Sequence, residues 1–297
     1  MPQGSPEKTL TRFERYRLVA ASALITLMLT SCSESSTPRF FTADSYPANL
    51  SDWKMMQIGQ NQLSLDTALV AYDLATPLFS DYALKLRTVW LPDGTAADYT
   101  TEGSLNFPVG TVISKTFYYP RDPDSSDFNN LLRTESNSVG FDGKSLDLNL
   151  VRLIETRLLV RQSEGWEALP YVWHDDQSDA TLQITGAIKR LQLRDADTDT
   201  DTDTDTDTDT DTDTDADAGG LVEGNTERFA YVVPNRNECA SCHVLDQNAG
   251  GLSPIGPSAR NLNKTYHYHA EDTKGASSQL DAWLALGILK SLPEESH

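Results

Sequence analysis

The stretch LVRLIETRLLVRQSEGWEALPYVW, Leu150 to Trp173, constrains the fold more than any other part of the chain. It is apolar and aromatic, breaks around Ser163–Gly165, and reads as two strands joined in a hairpin. Strands joined that tightly pair antiparallel, because a parallel pair needs a long crossover. The flanking chain carries similar signals. ALKLRTVWLPDG, from Ala83, alternates apolar and polar positions and ends in a Pro-Asp-Gly turn. FPVGTVISKTFYYP is β-branched and aromatic, with Pro and Gly before it and Pro120 after it. ATLQITGAIKRLQL, from Ala180, supplies one or two further strands, and ERFAYVVP ends at Pro234. The fold class predicted is α+β: an antiparallel, sandwich-like β-rich domain over 49–233, then a small, partly helical segment over 234–297. In that segment SSQLDAWLALGILKSLP predicts one amphipathic helix, capped by Ser277 or Ser278 and stopping before Pro293.

One low-complexity tract interrupts the β region. From Asp195 to Asp217 every second residue is Asp, which places 12 of the chain's carboxylates in one run. A calcium loop needs oxygens that converge around a turn, usually with Gly, and this run has no Gly before Gly219. The tract, 195–218, is therefore expected as a disordered, solvated spacer hung on the β region as a long loop. The formal net charge is −20, and without the tract the remainder is mildly acidic. A nucleic-acid partner is excluded on that balance, because a phosphate backbone would be repelled.

The N-terminus assigns a compartment. A basic head with Lys8, Arg12, Arg15 and Arg17 precedes LVAASALITLMLT, an uncharged apolar run too short to cross a bilayer comfortably. LTSC, ending at Cys32, resembles the lipobox at which bacteria lipidate the first residue of a mature chain. The expectation is a signal peptide over 1–31, a lipid on Cys32, and a Ser/Thr/Pro-rich tether over 32–48. That places the folded part in the periplasm, held to a membrane, and Ser33 favours the outer one.

The remaining two cysteines fall in NECASCHVL, as Cys239 and Cys242, with His243 immediately after. Four chemistries use this spacing. Covalent haem c adds each thiol to a porphyrin vinyl group and takes the adjacent histidine as proximal iron ligand. Zinc needs two more ligands, from His267 or His269, and the adjacency of Cys242 and His243 strains a tetrahedron. A thioredoxin-like pair wants a βαβ setting that the approach through Pro234 does not supply. A small disulfide loop is the structural alternative. Export favours haem, since c-type haem is attached outside the cytoplasm.

The motif and the GGLSPIGPSARNLN that follows it resemble the c-type cytochrome pattern. More specifically, TPLFSDYALKLR, FPVGTVISKTF, IETRLLVRQSEGWEALPYVWHDDQSDA, YVVPNRNECASCH and IGPSARNLN resemble a bacterial family of periplasmic two-haem c-type cytochromes with a β-rich N-terminal region. The resemblance implies a cytochrome c-like segment over 234–297 and electron transfer with a redox partner protein, a basic one to suit the acidic surface. The family continues to a second Cys-x-x-Cys-His, which this sequence lacks, so one haem is expected here, in either a one-haem variant or a shortened version of a longer chain. An electron carrier is favoured over a catalyst; the alternative is a haem module of a periplasmic oxidoreductase, peroxidase-like or accepting electrons from a dehydrogenase.

For the iron's other side, no methionine follows Cys242, and Met55 and Met56 read as packing residues beside Trp53. His267 and His269 in TYHYHA project together in extended backbone, opposite Tyr266 and Tyr268, and are either distal ligands or solvated loop residues. Arg236 and Arg260 flank the motif, as propionate contacts or as exposed arginines. His174 reads as a surface turn residue and His297 as a terminal one. Glu155 with Arg157, and Asp81 with Lys85, read as surface charges or fold-specific pairs.

Overall fold

In the computed structural model, residues 37–134, 136, 139–195, 222–223, 226–243, 251–268 and 277–294 are described. A 3₁₀ turn at Leu50–Trp53 leads into β1 (Met56–Gly59), β2 (Gln62–Leu65) and β3 (Val70–Tyr72). Next come β4 (Leu84–Trp90), β5 (Val112–Pro120), β6 (Asn130–Arg133) and β7 (Ser145–Asp147). The hairpin is β8 (Val151–Gln162) and β9 (Gly165–Trp173), and β10 (Ala180–Leu182), β11 (Ala187–Asp195), β12 (Val222–Glu223) and β13 (Thr226–Val233) follow. Helix α1 (Arg236–His243) carries the cysteine motif. Beyond it lie α2 (Ala259–Leu262), two-residue strands β14 (Thr265–Tyr266) and β15 (Ser277–Ser278), and α3 (Gln279–Ala285). The structure is mostly antiparallel β, as the sequence predicts; β6 alongside β11 is the one parallel pairing among the described strands.

A six-stranded sheet, in the order β10-β9-β8-β5-β4-β3, forms the centre. Its hairpin closes with Gln162 opposite Gly165, so Ser163 and Glu164 make the turn. A bulge breaks the β5–β8 register: Phe117 faces Glu155 while Tyr118 faces Leu153, which leaves Ile154 as the extra residue.

Both faces of this sheet are covered. On one face Leu84, Tyr118, Leu153, Leu158 and Tyr171 pack with Trp53, Met55, Met56, Leu63 and Leu146, which belong to the turn and the sheet β1-β2-β7. Met55 and Met56 are thus the packing residues expected beside Trp53. On the other face the cover changes along the strands. Phe117, Tyr119 and Val172 meet Leu191, Leu193, Tyr231 and Val233 of the sheet β12-β13-β11-β6. Farther along, Val89 and Ile113 meet Leu262, Leu280, Trp283, Ile288 and Leu289. Burying an indole as fully as Trp283 contributes on the order of 2–3 kcal/mol. Although β4 alternates apolar and polar residues, the double cover buries both of its faces: Arg87 and Thr88, at adjacent positions, are 5% and 0% exposed.

The boundaries differ from the expected ones for the same reason. Over its second half, the expected tether is docked. The Phe41 ring lies 5.0 Å from that of Trp53, and Gln162 Nε2 donates to Phe41 O at 2.9 Å and to the Tyr46 hydroxyl at 2.8 Å. The described residues of 251–268 and 277–294 share a hydrophobic cluster with the central sheet, through Leu262, Leu280, Trp283, Ile288 and Leu289. The signal peptide, Cys32 and the Asp-Thr tract lie outside the described residues. On either side of that tract β11 and β13 pair with each other, from Ala187 opposite Val233 to Arg194 opposite Thr226.

The C-terminal helix is capped by Ser278, as expected, but ends at Ala285 and not near Pro293. Gly287 adopts φ +75°, its N–H reaches Leu284 O, and the N–H of Ile288 reaches Trp283 O. That is the bonding of a Schellman stop, and Ile288 and Trp283 share the adjoining cluster. Gln279, fully buried, fastens this helix to β3's exit: its amide accepts from Asp73 N at 2.8 Å and donates to Asp73 O at 2.9 Å.

Candidate functional site

Pro234 ends β13, and α1 starts at once. Asn235 Oδ1 accepts from the N–H groups of Asn237 (2.9 Å) and Glu238 (3.0 Å), while Glu238 Oε2 accepts from Asn235 N at 2.8 Å. This reciprocal pair is a capping box. The sequence reading missed the helix start, although Asn235-x-x-Glu238 is its signal. The helix carries Cys239 and His243 four residues apart, on one side of its axis. Cys239 is buried; the side chain of Cys242 lies outside the described residues.

His243 is fixed from two sides. Its Nδ1 lies 2.8 Å from Ser253 O, and Ser253 N–H donates to His243 O at 2.7 Å. A carbonyl only accepts, so Nδ1 carries the proton and Nε2 keeps its lone pair. Burial, with Lys115 and Arg157 nearby, holds the ring's pKa below its usual value despite the bond to Ser253, which keeps it neutral. Ser253 is held in turn, since Leu252 bridges to Trp166 and the Ser104 hydroxyl donates to Pro254 O. Beside this loop lies a cavity of about 270 Å³ walled by Phe107, Arg161, Trp166, Leu252, Ser253 and Pro254.

The central sheet presents charge on the face that carries Phe117 and Val172. Glu155 is fully buried; it takes Arg157 Nε at 2.8 Å and Nη2 at 2.5 Å, and the Tyr231 hydroxyl at 2.6 Å. Of the two roles the sequence left open for Glu155 and Arg157, the structure shows a fold-specific pair. Burial and the Glu155 charge push the Tyr231 phenol well above its usual pKa. Lys115, on the same face, is pushed down to about 7 by burial and by its arginine neighbours. Lys85 is pushed down to about 8 and donates to Leu78 O at 2.8 Å.

The other sequence candidates fall elsewhere. Arg236 is exposed and ion-paired with Glu167, and Arg260 is exposed on α2. His267 is exposed, while Tyr266 and Tyr268 stack edge to face with centroids 5.0 Å apart and pack inward. His269 and His297 lie outside the described residues. His174 sits exposed in a turn, 2.7 Å from Thr181 Oγ1, as predicted. Asp81 is exposed with φ 45°, and no ion pair joins it to Lys85.

The residues present suit a covalently held haem. A buried thiol and an imidazole whose Nε2 keeps its lone pair share one helix. Among the described residues no three His, Cys, Asp or Glu side chains converge as a metal-holding group. No protein-family model, no curated protein and no solved structure matches the chain.

Proposed function

We propose that this chain is an exported c-type cytochrome, with Cys239 and Cys242 bonded to one haem and His243 as the proximal iron ligand. Segment 234–297 then serves as the cytochrome c-like part, in keeping with the resemblance to the two-haem family. The observation that carries the reading is the bond from His243 Nδ1 to Ser253 O, which leaves Nε2 as the coordinating atom. An iron already held by four porphyrin nitrogens asks the protein for one or two ligands, so a single histidine suffices. When bound, the haem supplies a one-electron ferric/ferrous couple. The protein's residues do the rest: α1 positions thiols and imidazole, and Ser253 fixes the ring.

In this reading Cys32 carries the lipid that holds the protein at the outer membrane, facing the periplasm. Electrons pass between partner proteins, with a basic surface on the partner suiting the net charge of −20. The test is expression with the haem-attachment machinery, followed by a haem stain of a denaturing gel and an intact mass. Stain and a haem mass increment are expected, both lost on Cys239→Ser with Cys242→Ser. An exported, folded product without haem refutes the reading.

A further inference from the structure

Three cations stand side by side on one face of the central sheet. Arg87 on β4 is directly opposite Lys115 on β5, which is directly opposite Arg157 on β8. Residues opposed in this way project to the same face, and like charges so placed destabilise a sheet. The row is bounded by Val89, Ile113 and Leu159 on one side and by Lys85, Phe117 and Glu155 on the other, so a further lysine and one carboxylate stand next to it.

The counter-charge is incomplete. Arg87 Nη1 meets Asp73 at 2.9 Å, but its buried Nε has no partner. Asp73 is shared with Lys264, at 2.7 Å. Glu155 occupies Arg157. Lys115 makes no hydrogen bond or ion pair among the described residues; its ammonium lies 5.0 Å from the centroid of the Phe117 ring, which Arg157 also covers at 4.4 Å. A buried donor without a partner on Arg87 and an unpaired, partly exposed ammonium on Lys115, side by side on one face, call for an anion. The motif helix packs against β9, the strand that pairs with β8 and its Arg157.

We propose that Arg87, Lys115 and Arg157 form a carboxylate-binding site, occupied by the propionate groups of the haem attached at Cys239 and Cys242. The assignment to propionates rests on the function proposed above; the site itself rests on the row. Arg236 and Arg260, the sequence candidates for this role, are exposed, and Arg236 is engaged with Glu167. A free small carboxylate is the other source of the same chemistry.

The test uses the full exported chain as wild type, Lys115→Met and Lys115→Arg, each with and without the attachment machinery. In the haem-loaded proteins the midpoint potential is measured by spectroelectrochemistry. Removing a cation beside the haem favours the ferric form, so Lys115→Met is expected to lower the potential and Lys115→Arg to restore it, with equal haem stain in all three. The haem-free proteins are titrated with succinate while the thermal midpoint is followed. Saturable stabilisation that Lys115→Met abolishes, together with a potential indifferent to Lys115, assigns the site to a free carboxylate and overturns the propionate assignment. Indifference in both measurements overturns the site. If no variant takes haem, the function reading fails, and the succinate titration alone decides whether the row binds carboxylate.

Discussion

The hydroxyl of Tyr231 on β13 donates a 2.6 Å hydrogen bond to Glu155 on β8, and so ties the four-stranded sheet to the central one through a carboxylate that no water reaches. Glu155 holds Arg157 with the same two oxygens. Removing the charge leaves a largely buried guanidinium uncompensated. Glu155→Gln is expected to destabilise the fold by about 3 kcal/mol and Tyr231→Phe by about 1 kcal/mol, read from urea denaturation. Equal, small losses in both would mean that the pair contributes little.

Lys115 and Lys85 give a pH signature. Their folded values, about 7 and about 8, lie below the ordinary 10.5, chiefly through burial and then through Arg157 and Arg87. Asp73, Asp81 and Glu155 oppose the shift. The unfolded chain therefore binds more protons than the folded one between those values and 10.5, and stability rises with pH across that window. Below pH 7 the penalty of the buried charge is fully present. The urea midpoint of the haem-free protein should climb from pH 7 to 9, and Lys115→Met should flatten the climb. A midpoint that falls over this range in the wild type contradicts the assignment.

Gln279 replaces a strand partner for Asp73, bonding both of its backbone groups. Gln279→Ala leaves an N–H and a carbonyl unpaired, at a cost of about 2–3 kcal/mol. The C-terminal segment should become the first site of cleavage in limited proteolysis, with the rest of the sheet intact.

Gly287 sits at φ +75° with nothing within 4 Å of a built Cβ. Gly287→Ala therefore meets no clash and tests the backbone alone, with an expected loss of about 1 kcal/mol from the left-handed conformation. No change in the thermal midpoint would show that the helix stop does not need glycine.

Much of the scaffold was legible in the residues. The hairpin at Ser163–Glu164, strands β4, β5, β10, β11 and β13, the Ser278 cap and the core role of Met55 and Met56 follow from local composition and turn chemistry, whereas the short strands β6, β7 and β12 gave no such signal. The cation row was not, because it arises from register between strands 28 and 42 residues apart, as Arg87, Lys115 and Arg157 are. Alternating charges on a strand look solvent-facing when read singly; a second layer over the sheet buried them. Phe41 and Tyr46, in a Ser/Thr/Pro-rich stretch, gave too weak a local signal to reveal that they pack on Trp53. The start of α1 was written in Asn235 and Glu238, but the strand pattern running up to Pro234 masked it.

Because Arg194 faces Thr226 across paired strands, and β12 begins at Val222, the described ladder bonds all lie outside residues 196–221. Dipeptide units can be gained or lost there by slippage during gene copying without disturbing a described ladder bond. Closure entropy grows only by about 0.6 kcal/mol per doubling of length. Repeat number at this joint is thus nearly invisible to the fold, and natural isolates should differ in it more than anywhere else in the chain.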